Sequence, residues 1–199
     1  MIFLALTGLV VALLVPIAIF SLQCFLSLIP FKRSSNSVAL DASPRTTVLI
    51  PAHNEADIIH GIIHDVTAQL NKDDRVFVIA DNCTDDTAAI AKQHGAGVIE
   101  RTNLEQRGKS YALRYALEQL EADPPDVIIV VDADCRISSQ AIYDLSVKAW
   151  QLDRPVQGSY IFGSQKDSAA SNLASSFTLW FKNHIRPLGS LRALSLIHI

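Results

Sequence analysis

The chain has 199 residues, enough for one membrane segment and one domain of ordinary size. Its formal net charge is −3, and no basic patch or aromatic–basic interleaving points to nucleic acid. Three cysteines, Cys24, Cys83 and Cys135, form an odd set without metal-ligand spacing, which suits reduced thiols in a cytosolic domain and argues against a disulfide framework.

From Met1 to Phe31 no side chain is charged, and Lys32 and Arg33 follow at once. A bilayer core takes about 20 apolar residues as helix, so this run can span it with some tilt. Pro16 is compatible, because membrane helices accommodate kinks. A cleaved signal peptide would carry a basic start, a shorter apolar run and an Ala-x-Ala-like site, so an uncleaved anchor is the better reading. Basic residues favour the cytoplasmic side, so the domain after Arg33 is expected to face the cytosol from the cell (inner) membrane. Residues 32–44 read as a polar linker.

Thr46 to Ile50 is a β-rich run, and Pro51 is expected to end its ladder. Asn54 is expected to cap the following helix, whose stripe is Ile58, Ile59, Ile62, Ile63, Val66 and Leu70. His60 and His64 are four apart but lie off that stripe, which predicts a solvated face rather than a metal site. Glu55 either favours the helix start electrostatically or contacts a ligand at the strand end. Arg75 to Ala80 is the second strand. Asp81 follows it, where the base or ribose of a ligand is within reach. Thr84, Asp85 and Asp86 make a helix start, and Gly95 a stop.

Gly97 to Glu100 reads as a third strand, and Gln106-Arg107-Gly108-Lys109-Ser110 opens a helix with Leu113, Ala116, Leu117 and Leu120 inward. Gly-Lys-Ser resembles the end of a P-loop, but Asn103 stands where that motif needs glycine, which excludes a Walker-type ATPase. Arg107 and Lys109 can still meet a diphosphate at the helix amino-terminus, or form a solvated basic turn.

Val127 to Val131 is a run of five branched apolar residues, the pattern of a strand buried on both faces. It breaks into Asp132-Ala133-Asp134 at the strand end, where open α/β sheets bind ligands. Alternating residues of an extended chain share one side, so the two carboxylates can address one hard cation or one sugar phosphate. An Asp-x-Asp arises about once by chance in such a chain, and Asp also caps helices, here near Ser138 or Ser139. A further strand, Pro155 to Phe162, and a helical stretch from Ala169 to Ile185 with Phe177, Leu179, Trp180 and Phe181 follow. The aromatics suit either core or a membrane interface, with the interface preferred. No internal repeat is present. The chain stops at Ile199 without a closing element, which reads as a truncated frame, and the final Leu194 to Ile199 as non-native sequence.

Together, Val48-Leu49-Ile50-Pro51-Ala52-His53-Asn54-Glu55, Ala80-Asp81-Asn82-Cys83-Thr84-Asp85-Asp86-Thr87, Gly108-Lys109 and Val131-Asp132-Ala133-Asp134 resemble family 2 glycosyltransferases in order, spacing and strand-end placement, from about Thr46 to Tyr160. Arg186-Pro187-Leu188-Gly189 further resembles membrane-bound members of exopolysaccharide synthesis. The resemblance implies a GT-A fold, a Rossmann-like nucleotide-binding α/β sandwich with a mostly parallel sheet, here preceded by one transmembrane helix. With the apolar run as anchor at 1–31 and the linker at 32–44, the resemblance implies a nucleotide-sugar domain at 45–165, followed by a helical, membrane-interfacial and truncated segment at 166–199.

It also implies a nucleotide-sugar donor, commonly UDP-linked, and a saccharide or lipid-linked acceptor. Pro51, Ala52, Glu55 and Asp81 would line the nucleotide pocket, with Lys109 nearby. Asp132 would contact the donor's ribose or sugar, and Asp134, with Asp132, would hold Mn²⁺ or Mg²⁺. Many members have an Asp pair where this chain has Ala80-Asp81. The acceptor-activating carboxylate and the Gln-x-x-Arg-Trp motif of such enzymes do not occur in this chain, so donor binding with little transfer is expected. The alternatives are a non-catalytic nucleotide-sugar-binding or assembly module, and a nucleotidyltransferase.

Overall fold

The computed structural model describes residues 2–28, 43–158, 177–178, 180–185 and 187. Contacts divide the chain into a unit spanning Val38–Gly158 and a second drawn from Met1–Ser37 and Ser159–Ile199. In the second unit, α1 (Ile2–Leu28) is a 27-residue helix without a charged residue. Its Val10–Leu28 portion, of mean hydropathy 2.3, is long and apolar enough to cross a membrane. The aromatics of 177–181 form a small cluster. The ring of Phe181 lies 5.4 Å from Phe20 of α1 and 6.2 Å from Phe177. Phe181–Ile185 adopts a short π-helical turn rather than the continuous α-helix expected there.

The unit Val38–Gly158 is built on a parallel sheet in the order β3-β2-β1-β4, with β1 at Thr46–Ala52, β2 at Arg75–Asp81, β3 at Gly97–Arg101 and β4 at Val127–Val130. The chain steps outward from β1 to β3 and then returns to the far side of β1. That reversal puts a topological switch point between the carboxyl ends of β1 and β4, where open α/β sheets leave a crevice.

Helices cover both faces. α2 (Ile59–Thr67) buries Ile59, Ile62, Ile63 and Val66 against Val48, Ile50 and Val78. α3 (Thr87–Gln93) and α5 (Ala141–Leu152) join the same core through Ala91 and Ile142. α4 (Lys109–Leu120) closes the other face, with Ala112, Ala116 and Leu120 on Leu49, Ile79 and Ile99. Small side chains on α4 bring it close to the sheet, and the longer Leu117 is turned out to solvent, against expectation.

Two further expectations are corrected. Pro51 does not end β1: it pairs with Ile79, and Ala52 with Ala80. In a parallel ladder alternate residues bond to opposite neighbours. Val131 donates to Leu49 O, so Pro51, two residues on, turns its missing N–H toward the β4 side, where pairing has already stopped. The run Val127 to Val131 is not buried on both faces. Val127 and Ile129 are buried, whereas Ile128 and Val130 are about two-fifths exposed, at 39% and 42%. β4 is an edge strand of the described sheet, and α4 lies over β1, β2 and β3 instead. Of the proposed strand from Pro155, residues 155–158 are irregular and 159–162 lie outside the described residues, as do 169–176 of the last helix and 188–199 of the chain's end.

Candidate active site

The loops leaving β1 and β2 are laced together by side-chain bonds. Asn54 is not a helix cap. It adopts φ 56°, a left-handed conformation that asparagine tolerates, and its Oδ1 accepts the Thr84 N–H at 2.7 Å. The Glu55 N–H donates to Thr87 Oγ1 at 2.9 Å, and the Ala56 N–H to Asp85 Oδ2 at 3.1 Å. α3 begins at Thr87 rather than Thr84. Asp86 stands at the cap position without a side-chain cap bond, and Asp85, one residue earlier, takes the Thr87 N–H at 3.1 Å and its hydroxyl at 2.5 Å. That hydroxyl above all, with the Ala56 N–H, holds the Asp85 carboxyl below the ordinary carboxylate range. Cys83 lies inside the lacing. Its Sγ accepts the Asn54 N–H at 3.4 Å, and burial pushes the thiol up.

Asp81 is buried, and its Oδ1 accepts from Arg101 Nη1 at 2.7 Å with both side chains at most 10% exposed. The two residues are register partners across β2 and β3. Sequence reasoning missed Arg101. Its one signal is a cation at the inward parity of a strand, two residues after the buried Ile99. His53 places Nδ1 2.7 Å from Asp81 O. On α4, the Lys109 ammonium donates to Asp132 Oδ1. Asp132, Asp134 and Cys135 present ligand atoms within 4.8 Å of one another, and the Cys135 N–H bonds to Asp132 O at 3.1 Å in the turn that gathers them. The carboxylates therefore converge through a turn after β4 rather than by strand alternation. His60 and His64 are exposed.

All six proposed nucleotide contacts and Asp134 line one cavity of about 690 Å³ at the switch point. Asn82, Leu104 and Arg107 line it too. Asp81 and Asp132 bring their own cations, so the less compensated lining charges are Glu55 and Asp134 against Arg107. Two clustered carboxylates supply the hard oxygen donors that Mg²⁺ and Mn²⁺ prefer, whereas the Cys135 thiol is a soft donor. A parallel sheet with helices on both faces and this crevice at its switch point, acidic at the tip of β4 and basic at the start of α4, defines an open α/β fold with its ligand crevice at the strand ends.

The profile described as "Glycosyl transferase family 2" matches residues 47–188, and the chain belongs to that family. The low-salt glycan biosynthesis hexosyltransferase Agl6 of Haloferax volcanii is 38% identical over 98 residues, 48% of this chain and 22% of that protein. The 4,4'-diaponeurosporenoate glycosyltransferase of Staphylococcus aureus is 31% identical over 107 residues, 53% of this chain and 28% of that protein. The chain thus aligns with less than a third of either relative's length. Among solved structures, the mannosyltransferase PcManGT of Pyrobaculum calidifontis, in complex with GDP-Man and Mn²⁺, superposes with a TM-score of 0.52 at 20% identity, covering 70% of this chain and 43% of that one. That likeness shows the fold, which is GT-A.

Proposed function

We propose that this chain is the donor-binding half of a membrane-anchored glycosyltransferase that uses a nucleotide-diphosphate sugar, UDP-linked, and a polysaccharide or lipid-linked acceptor. The observation that carries the reading is the meeting of Asp81, Lys109, Asp132 and Asp134 in one cavity at the switch point. Asp81, held by Arg101, lines the cavity with Pro51, Ala52 and Glu55, and in this reading these residues take the base and ribose. Lys109 and Arg107, at the amino-terminus of α4, receive the diphosphate, since cations and free N–H groups there favour anions. Asp132 and Asp134 would hold Mn²⁺ or Mg²⁺. When bound, that ion offsets charge growing on the leaving diphosphate.

The acceptor hydroxyl needs a base, and no residue of this chain is assigned that role. The chain alone is therefore proposed to bind donor without appreciable transfer. The domain limits, 45–165 for the nucleotide-sugar unit with 1–31 as anchor, and a cytosol-facing site at the inner membrane, belong to the same reading. α1 supports it by length and apolarity, and the Mn²⁺ and GDP-mannose of the solved mannosyltransferase support the metal and donor class.

The test is calorimetry of UDP with and without Mn²⁺ on the full chain in detergent, comparing wild type with Asp134→Asn. Metal-dependent affinity in the wild type, lost in the variant, is expected. Equal metal dependence in both removes Asp134 from the site. Product analysis with labelled UDP-sugar on a longer form separates sugar transfer, which releases UDP, from nucleotidyl transfer, which releases pyrophosphate.

A further inference from the structure

The proposed cleft joins two loops that carry different parts of a nucleotide: the end of β2, with Asp81, and the turn before α4, with Arg107 and Lys109. Between them runs a side-chain tether, in which Asn82 lines the cavity and Asn103 does not. Asn82, immediately after Asp81, sits at φ 54° and bonds its own N–H to Arg101 O at 2.7 Å. Its Oδ1 accepts the Asn103 N–H at 2.7 Å. The Asn103 side chain then gathers the N–H groups of Glu105 and Gln106 at 3.0 and 2.9 Å. Arg107 folds back on the same turn, Nε to Leu104 O at 3.0 Å, and Gly108 at φ 106° hands the chain to α4. Asn103 does not line the cavity, whereas Asn82, Leu104, Arg107 and Lys109 do.

We infer that Asn103 is a positioning residue: with Asn82 as its tether, it hangs the cationic turn from the strand end that holds Asp81, setting the span between base contact and diphosphate contact. This rests on the reading of the cleft as a nucleotide-diphosphate site. The physical case is preorganisation. A turn of exposed residues carrying two long cations has many conformers, and ordering it at binding would cost affinity. Three side-chain-to-backbone bonds through two asparagines remove that freedom beforehand, and Asn103 does so from outside the cavity. Glycine alone would allow the left-handed backbone at 82, but only a side-chain acceptor there can hold the Asn103 N–H.

The consequence is a split between nucleotide parts. Loosening the tether should harm ligands with a diphosphate and spare those without one. The experiment measures UDP and uridine binding, each with Mn²⁺, by ligand-observed NMR and calorimetry on the full chain in detergent, for wild type, Asn103→Ala, Asn103→Ser and Asn82→Gly. Asn82→Gly keeps the backbone conformation and removes the acceptor, together with a side chain that lines the cavity. Asn103→Ser restores a side-chain oxygen able to take turn N–H groups. Expected is a fall in UDP affinity of about tenfold for Asn103→Ala and Asn82→Gly, partial recovery in Asn103→Ser, and uridine affinity within about twofold of wild type in both Asn103 variants. Retained uridine binding also reports that the variants fold. Parallel losses of UDP and uridine in Asn103→Ala, or unchanged UDP affinity in both Asn103→Ala and Asn82→Gly, overturn the positioning role and leave the site reading intact. A wild type that binds neither ligand overturns the site reading, and the inference with it.

Discussion

Arg101 Nη1 donates to Asp81 Oδ1 at 2.7 Å across neighbouring strands, in a position closed to solvent. A guanidinium and a carboxylate taken out of water together are tolerable as a pair, and neither is tolerable alone. Arg101→Met should therefore cost about 3–5 kcal/mol of unfolding free energy, while the double variant with Asp81→Leu should recover most of it. Urea unfolding of the three proteins checks this, and an Arg101→Met midpoint equal to wild type refutes it.

Lys109 and Asp132 make a contact of another kind, because both are half exposed. In the absence of ligand the ammonium competes with any cation for one Asp132 oxygen. Lys109→Met should raise the affinity for Mn²⁺ alone by about threefold. It should lower the affinity for UDP with Mn²⁺ by about tenfold, since a charged donor to the diphosphate is lost. Opposite signs in two titrations of one variant are the signature. Movement of both in the same direction would disconnect the lysine from the metal and phosphate subsites.

Acid should loosen the lacing of the β1 and β2 loops through Asp85. Its carboxyl is held low in the folded chain by the Thr87 hydroxyl and the Ala56 N–H. The folded value lies below the unfolded one, so this contribution is present above the ordinary carboxylate range and is lost as pH falls through the folded value. Asp85→Asn should lower stability at neutral pH and flatten its decline between about pH 5 and about pH 3. Urea midpoints across that range decide it, with parallel curves as the negative result.

Cys83 offers a test of packing between the same loops. Burial raises its thiol, with the Asn54 N–H opposing. Little thiolate forms at neutral pH, and iodoacetamide should modify Cys83 about tenfold more slowly in the folded chain than in urea. Peptide mass mapping over time gives the rates for each cysteine. Equal rates in folded and unfolded protein would show that the thiol is not enclosed.

Much of the fold was legible in the sequence, as was the strand-end or helix-start position of the residues that line the candidate cleft. Alternating and helical apolar spacing located β1, α2, β2 and β3, and Gly95, at φ 85°, ends α3 as its position suggests. The errors fall where local rules meet tertiary neighbours. Pro51 stays in its strand because β4 has already left that side, and Leu117 faces water because α4 settles on its alanines. Asn54, a good cap by residue type, is used to hold Thr84 instead.

By itself the sequence determined which groups stand at strand ends, Pro51 to Glu55, Asp81 and the Asp132 and Asp134 pair, and that Lys109 stands at a helix start. Strand ends follow from patterns within ten residues, and such patterns are local. Only the tertiary structure decided the partners: Arg101 for Asp81, Lys109 for Asp132, Asn103 for Asn82. Those depend on strand order, register and the return of the chain across β1, and two residues twenty apart carry no mark of being neighbours until the sheet has set them side by side.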